Sequence, residues 1–133
     1  MTDKLTITKT DGGIPVLHVA GHLDGETENM LVAEATSIFN SGKKYLVIEL
    51  SKVDLISSAG LRALHVIYKM FTQHPDIEKW QSEHPGETFK SQYMKLAQPS
   101  SQVHYVLSMA GFLQNIYIYP NLKEATDSFE ISK

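Results

Sequence analysis

Two adjacent serines, Ser57 and Ser58, stand before Ala59-Gly60, where a strand-like run gives way to a helical one. Serine at such a place is a helix cap, because its hydroxyl accepts from a backbone N–H of the first turn. Serine is also a nucleophile when a base lies within hydrogen-bond reach, about 3 Å. His65 is the nearest candidate base in the chain, seven residues further on. On one helix that spacing is about 10 Å along the axis, so Ser58 and His65 cannot pair. A Gly-x-Ser-x-Gly elbow is also missing. His18 and His22 can meet on one face of a strand end, but no third ligand accompanies them, so they read as ordinary surface histidines. The chain lacks a glycine-rich phosphate loop. With no cysteine, it has no disulfide, thiolate metal site or thiol nucleophile. No catalytic group, metal or cofactor is implied.

The elements that must position these serines follow from periodicity. Leu5-Thr6-Ile7-Thr8 alternates like a half-buried strand, Asp11-Gly12-Gly13 reads as a hairpin turn, and Ile14 to Ala20 returns as a second strand. Gly21 breaks it. A helix follows from Thr27 with Leu31, Ala35 and Ile38 on one face, Asp24 or Thr27 as its cap, and Asn40-Ser41-Gly42 as its stop. Tyr45 to Leu50 is nearly all apolar, as a central strand covered on both faces is. The helix that opens at the serines runs to about Phe71, with Leu61, Leu64, Ile67, Tyr68 and Phe71 apolar and Arg62, His65 and Lys69 as a polar stripe. Residues 74–90 change composition and predict an inserted surface loop with one helical turn near Ile77 to Gln81. Trp80 and Phe89 within it pack locally or form a docking patch. A strand at Tyr93–Leu96 follows. Next come a helix from Pro99-Ser100-Ser101, with Val103, Val106, Leu107 and Ala110 inward, and a stop at Gly111. A strand at Ile116–Tyr119 and a short helix carrying Leu122, Ala125 and Phe129 complete the chain.

The expected order is β-β-α-β-α-β-α-β-α, an α/β fold with a mainly parallel sheet and helices packed on it. At 133 residues, the expectation is one domain over 1–133. Twelve Lys and Arg against fifteen Asp and Glu give a net charge of −3, which argues against nucleic-acid binding and gives no support to an anionic membrane surface. No run approaches the roughly 20 apolar residues that span a bilayer. The opening Met-Thr-Asp-Lys lacks a signal-peptide pattern, so the expected compartment is the cytoplasm.

Gly21-His22-Leu23-Asp24, then Leu46 to Ser51, then Val53-Asp54-Leu55-Ile56-Ser57-Ser58-Ala59-Gly60-Leu61-Arg62-Ala63-Leu64 together resemble the STAS family. That family includes anti-sigma factor antagonists and domains of anion transporters. The likeness spans about Leu5 to Phe129 apart from the insert, where typical antagonists have only a short connection. The antagonists carry Asp-Ser-Ser-Gly or Asp-Ser-Thr-Gly, whose first Ser is phosphorylated by an anti-sigma factor that is also a serine kinase. Aligned on Gly60-Leu61, Ser58 takes the phosphorylated place, Ser57 the place of the Asp, and Ala59 that of the second Ser or Thr. The resemblance implies a phosphate environment of Ser57, Ala59 and Gly60, and a partner-binding surface of Asp24, Ser57, Ser58, Gly60, Leu61 and Arg62. Residue types alone leave Ser57 mainly a cap, Gly60 a possible packing glycine, and Arg62 part of a solvated face. The implied function is a switch. Unphosphorylated, the chain sequesters an anti-sigma factor kinase; phosphate on Ser58 ends the complex, and a serine phosphatase restores it. The alternatives are a STAS subunit of a transport or sensory complex that is never phosphorylated, and a hydrolase using Ser58.

Overall fold

The structure is a computed structural model that describes residues 5–11, 13–111 and 114–129. Its elements are β1 (Thr6–Asp11), β2 (Pro15–Leu23), α1 (Glu28–Asn40), β3 (Leu46–Ile56), α2 (Ser58–Phe71), α3 (His74–Glu83), β4 (Met94–Ala97), α4 (Ser101–Met109), β5 (Ile118–Tyr119) and α5 (Leu122–Asp127). The sheet order is β1-β2-β3-β4-β5. Only the β1–β2 pair is antiparallel; the other three pairs are parallel. Gly12 of the expected hairpin turn lies outside the described residues.

The run that begins β3 is apolar because both faces of that strand are covered. Leu46, Ile48 and Leu50 enter the cluster formed with α1, α2 and α4, through Leu31, Ala35, Ile38, Leu64, Ile67, Val103 and Leu107. Val47 points the other way, into a second cluster with Val16, Ala97, Ala125 and Phe129 beneath α5. Three helices thus share one face of the sheet and one short helix takes the other. Each fully buried Leu or Ile contributes about 1.5–3 kcal/mol of hydrophobic transfer.

Several expectations are corrected in detail. Residues 74–90 hold a ten-residue helix, α3, with Pro75 in its first turn, rather than a loop with one turn. The Trp80 ring stacks on His84 at 4.2 Å and meets Phe89 edge-on at 5.5 Å, so these side chains pack locally. Phe89 is buried, and Asn115 donates to its carbonyl at 2.9 Å. The helix expected to continue past residue 109 stops at Met109, which leaves Ala110 exposed as its C-cap. The strand expected over 116–119 pairs only at Ile118–Tyr119.

His18 and His22 take different partners. His18 reaches Glu49 on β3 through Nδ1 at 3.1 Å and Thr10 on β1 through Nε2 at 3.1 Å. His22 instead pairs with Asp54 at 3.3 Å. Register shifts in the β2–β3 pairing lie between the two histidines, so the simple alternation along β2 is lost there.

Candidate functional site

The β3–α2 junction lies against the end of β2. Ser57 is the N-cap of α2 with an extended backbone, and its Oγ accepts from the Gly60 N–H at 3.3 Å. Its own N–H donates to the Leu23 carbonyl at 3.0 Å, and its carbonyl accepts from Leu61 N–H at 2.9 Å. The helix start is therefore stitched to the strand end by backbone bonds, with one serine hydroxyl consumed as the cap.

Ser58 is the first residue of α2, and it is exposed. The N–H groups of a first turn have no carbonyl within their own helix. Those of Gly60 and Leu61 are taken by Ser57, while those of Ser58 and Ala59 have no partner among the described residues. No acidic residue stands in the first turn of α2, so the partial positive charge of the helix end meets no side-chain carboxylate of its own helix.

Gly60 is buried. A Cβ placed on it would lie 2.3 Å from the Leu23 carbonyl oxygen, a distance no side chain tolerates. Its role in the fold is close packing of α2 on the sheet. Leu61 is half-buried against the core. Ala59 sits beside the 24–27 loop: a Cβ on Gly25 would lie 3.9 Å from its own.

That loop is locked from within. Thr27 Oγ1 donates to the His22 carbonyl at 2.7 Å and accepts from Asp24 N–H at 3.0 Å. Asp24 Oδ1 accepts from Glu26 N–H at 3.0 Å. Thr27 is the N-cap of α1 by position, yet its side chain makes no capping bond to that helix. Neither expected cap residue caps α1 through its side chain. Instead, both hold the loop in place. Asp24 is half-buried and its carboxylate is partly used by this turn.

Arg62 is not a freely solvated charge. Its Nη2 donates to Glu28 Oε1 at 2.8 Å and its Nε to Oε2 at 3.2 Å, a two-pronged bridge from α2 to the first residue of α1. The Glu28 carboxylate, first by hydrogen bonding and then by its charge, raises the Arg62 pKa above its ordinary value. Nothing local in the sequence marks this pair, since its members are 34 positions apart. Two exposed apolar side chains escaped the sequence reading as well. Leu55, 44% exposed, is the last residue but one of β3, and Val66, 41% exposed, extends the stripe Ser58–Arg62–Val66 along α2. His65 stacks on Tyr68, with ring centroids 5.9 Å apart.

Five strands with α1 and α2 on one face, joined by a capped serine turn, define a STAS-type binding domain. The STAS domain model matches residues 6–75, and the chain belongs to that family. BtrV of Bordetella bronchiseptica, named as an anti-sigma factor antagonist, is 29% identical over 122 residues, covering 92% of this chain and 90% of its own length. The crystal structure of an anti-sigma factor antagonist from Mycobacterium paratuberculosis superposes with a TM-score of 0.75 at 22% identity, over 98% of this chain and 100% of that one. SpoIIAA in its unphosphorylated form gives 0.66 at 17% identity, over 97% and 99% of the two chains. The phosphorylated form of SpoIIAA, from Bacillus, gives 0.59 at 14% identity, over 92% and 96%. At these identities the solved structures establish the fold. Among the described residues no helix is long and apolar enough to cross a membrane.

Proposed function

We propose that the chain is an anti-sigma factor antagonist whose binding is switched by phosphorylation of Ser58. Unphosphorylated, it sequesters an anti-sigma factor that is also a serine kinase. Phosphate on Ser58 releases that partner, and a serine phosphatase resets the cycle. The whole chain acts as one domain, and its compartment is the cytoplasm.

The observation that carries this reading is the division of labour between the two serines. Ser57 is used up as the cap, whereas Ser58 is exposed at the first position of α2. A hydroxyl there is open to a kinase active site, and a phosphate placed on it adds about two negative charges without entering the core. The name of the BtrV relative and the existence of SpoIIAA in both phosphorylated and unphosphorylated forms support the same assignment. The partner surface then comprises Ser58, the 24–27 loop with Asp24, Arg62, and the exposed apolar points Leu55 and Val66. The ATP and Mg²⁺ chemistry belongs to the kinase.

The test is the intact mass of the protein purified from its own cells, with peptide mapping of any added phosphate. Phosphate on Ser58 is the expected result. An unmodified chain under every growth condition would sink the switch and favour a constitutive assembly subunit. Retrieval of a kinase by wild type and Ser58→Ala, but not by Ser58→Asp, is the matching binding result.

A further inference from the structure

Resting on Ser58 as the phosphorylated residue, we propose that Arg62 is the group that takes up the phosphate, and that it does so by leaving Glu28. The phosphate would thereby change the α1 end of the surface as well as its own position.

The geometry on α2 favours this exchange. Ser58 and Arg62 are one turn apart, at i and i+4, so their Cβ atoms are about 5–6 Å apart. Helical side chains lean toward the N-terminus, which carries the Arg62 stem back over the turn that holds Ser58. Its guanidinium is already held at that end of the helix, because Glu28 opens α1 and Arg62 reaches it with both Nε and Nη2. Only a short swing is needed. The next lysine or arginine on α2, Lys69, is seven positions further along, about 10 Å beyond Arg62.

The competition is uneven. The Arg62 side chain is 62% exposed, so water already solvates much of its charge and weakens its hold on Glu28, whose own side chain is 19% exposed. A phosphate offers nearly twice the charge and three acceptor oxygens to the same planar fork. It is also seated at a helix start whose Ser58 and Ala59 N–H groups have no partner among the described residues. Glu28 tolerates release because it stands in the first turn of α1, where the helix dipole favours an anion. Once released, its charge adds to those of Asp24 and Glu26 in the adjoining loop. A partner that touches both α2 and this loop would then meet two new negative regions instead of one.

The experiment installs phosphoserine at position 58 of the full chain during synthesis and follows the second phosphate ionisation by ³¹P NMR. A guanidinium contact favours the dianion. The phosphate pKa should therefore be lower in the parent than in Arg62→Gln, by about half a unit at low salt. Glu28→Gln removes the competitor and should lower it further, while Arg62→Lys, which lacks the fork, should fall between parent and Arg62→Gln. The Arg62 Nε–H resonance should move on phosphorylation in the parent. Equal phosphate pKa values in the parent and Arg62→Gln, with an unmoved Nε–H signal, would overturn the exchange. Because the phosphate is installed synthetically, this outcome is independent of whether a kinase modifies Ser58 in cells, which the intact-mass measurement decides separately.

Discussion

Replacing Gly60 with Ala tests the seam that sets the position of Ser58. The new methyl carbon would lie 2.3 Å from the Leu23 carbonyl oxygen and 3.0 Å from both the Leu23 carbonyl carbon and its Cγ. Carbon–oxygen contacts settle at about 3.3–3.6 Å, so α2 and the end of β2 must part by roughly 1 Å. The obstacle is mainly backbone, which cannot rotate aside as a long side chain could. Overpacking of this kind costs about 1–3 kcal/mol. The same Leu23 oxygen accepts from Ser57 N–H at 3.0 Å, and opening the seam would sacrifice that bond, about 1 kcal/mol more. Alanine returns up to about 1 kcal/mol through its better helix propensity. The net expectation is a loss of about 2 kcal/mol. With a urea m-value of about 2 kcal/mol/M, the unfolding midpoint should fall by about 1 M. Gly25→Ala is the internal control: its methyl would meet the Ala59 Cβ at an ordinary 3.9 Å, so its stability should stay within about 0.5 kcal/mol of wild type. A Gly60→Ala midpoint equal to or above that of wild type would mean that propensity alone governs the position, and the close approach of α2 to β2 would have to be abandoned.

The two serines should separate cleanly in the same urea assay. Ser57→Ala loses the cap and about 1 kcal/mol, whereas Ser58→Ala stays within about 0.5 kcal/mol, and equal losses would contradict the assignment of roles. Glu49 gives a pH test. Burial alone would raise its pKa, but hydrogen bonds from Ser51 and then His18 outweigh that and hold it below the ordinary value of 4.5. A depressed native value means that its contribution is present above the ordinary value and is lost as pH falls through the native one. The stability difference between wild type and Glu49→Gln should therefore be full near neutrality and shrink on acidification below about pH 4.5, and a difference independent of pH would refute the pairing.

How far the sequence reached is a matter of which interactions are local. The α2 face of Leu64, Ile67 and Phe71, and the α1 face of Leu31, Ala35 and Ile38, were readable because a buried helix face repeats every three to four residues. The cap at Ser57 was readable because the acceptor and its N–H lie three residues apart. By contrast, α3 is mostly polar and shows no apolar period; its Trp80 faces a phenylalanine nine positions on, a contact that only the folded chain brings together. Thr27 had the composition of a cap, but the His22 carbonyl captured its hydroxyl, which no helix-start rule anticipates. Gly60 was ambiguous for the same reason. Its neighbour is the backbone of another strand, and the sequence does not say how near that strand comes.

These local and distant contacts together explain why chemistry would concentrate on one atom of the Ser57–Gly60 turn. The Ser57 oxygen is engaged by Gly60, Ala59 lies beside Gly25, and Gly60 is buried without a side chain. Ser58 is left as the exposed hydroxyl. The substitution of Ser57 for the aspartate common at this place in antagonists then acquires a physical meaning. An aspartate cap would put a full negative charge beside the incoming phosphate, whereas a serine cap supplies the same acceptor and leaves the helix end electropositive. In this chain a phosphate on Ser58 would be the first anion in the opening turn of α2, since no acidic residue of the helix precedes it there. Repulsion of a partner must then come from the phosphate itself and from the carboxylates of the neighbouring loop. That places the weight of the switch on Asp24, Glu26 and a released Glu28 rather than on the residue before the serine.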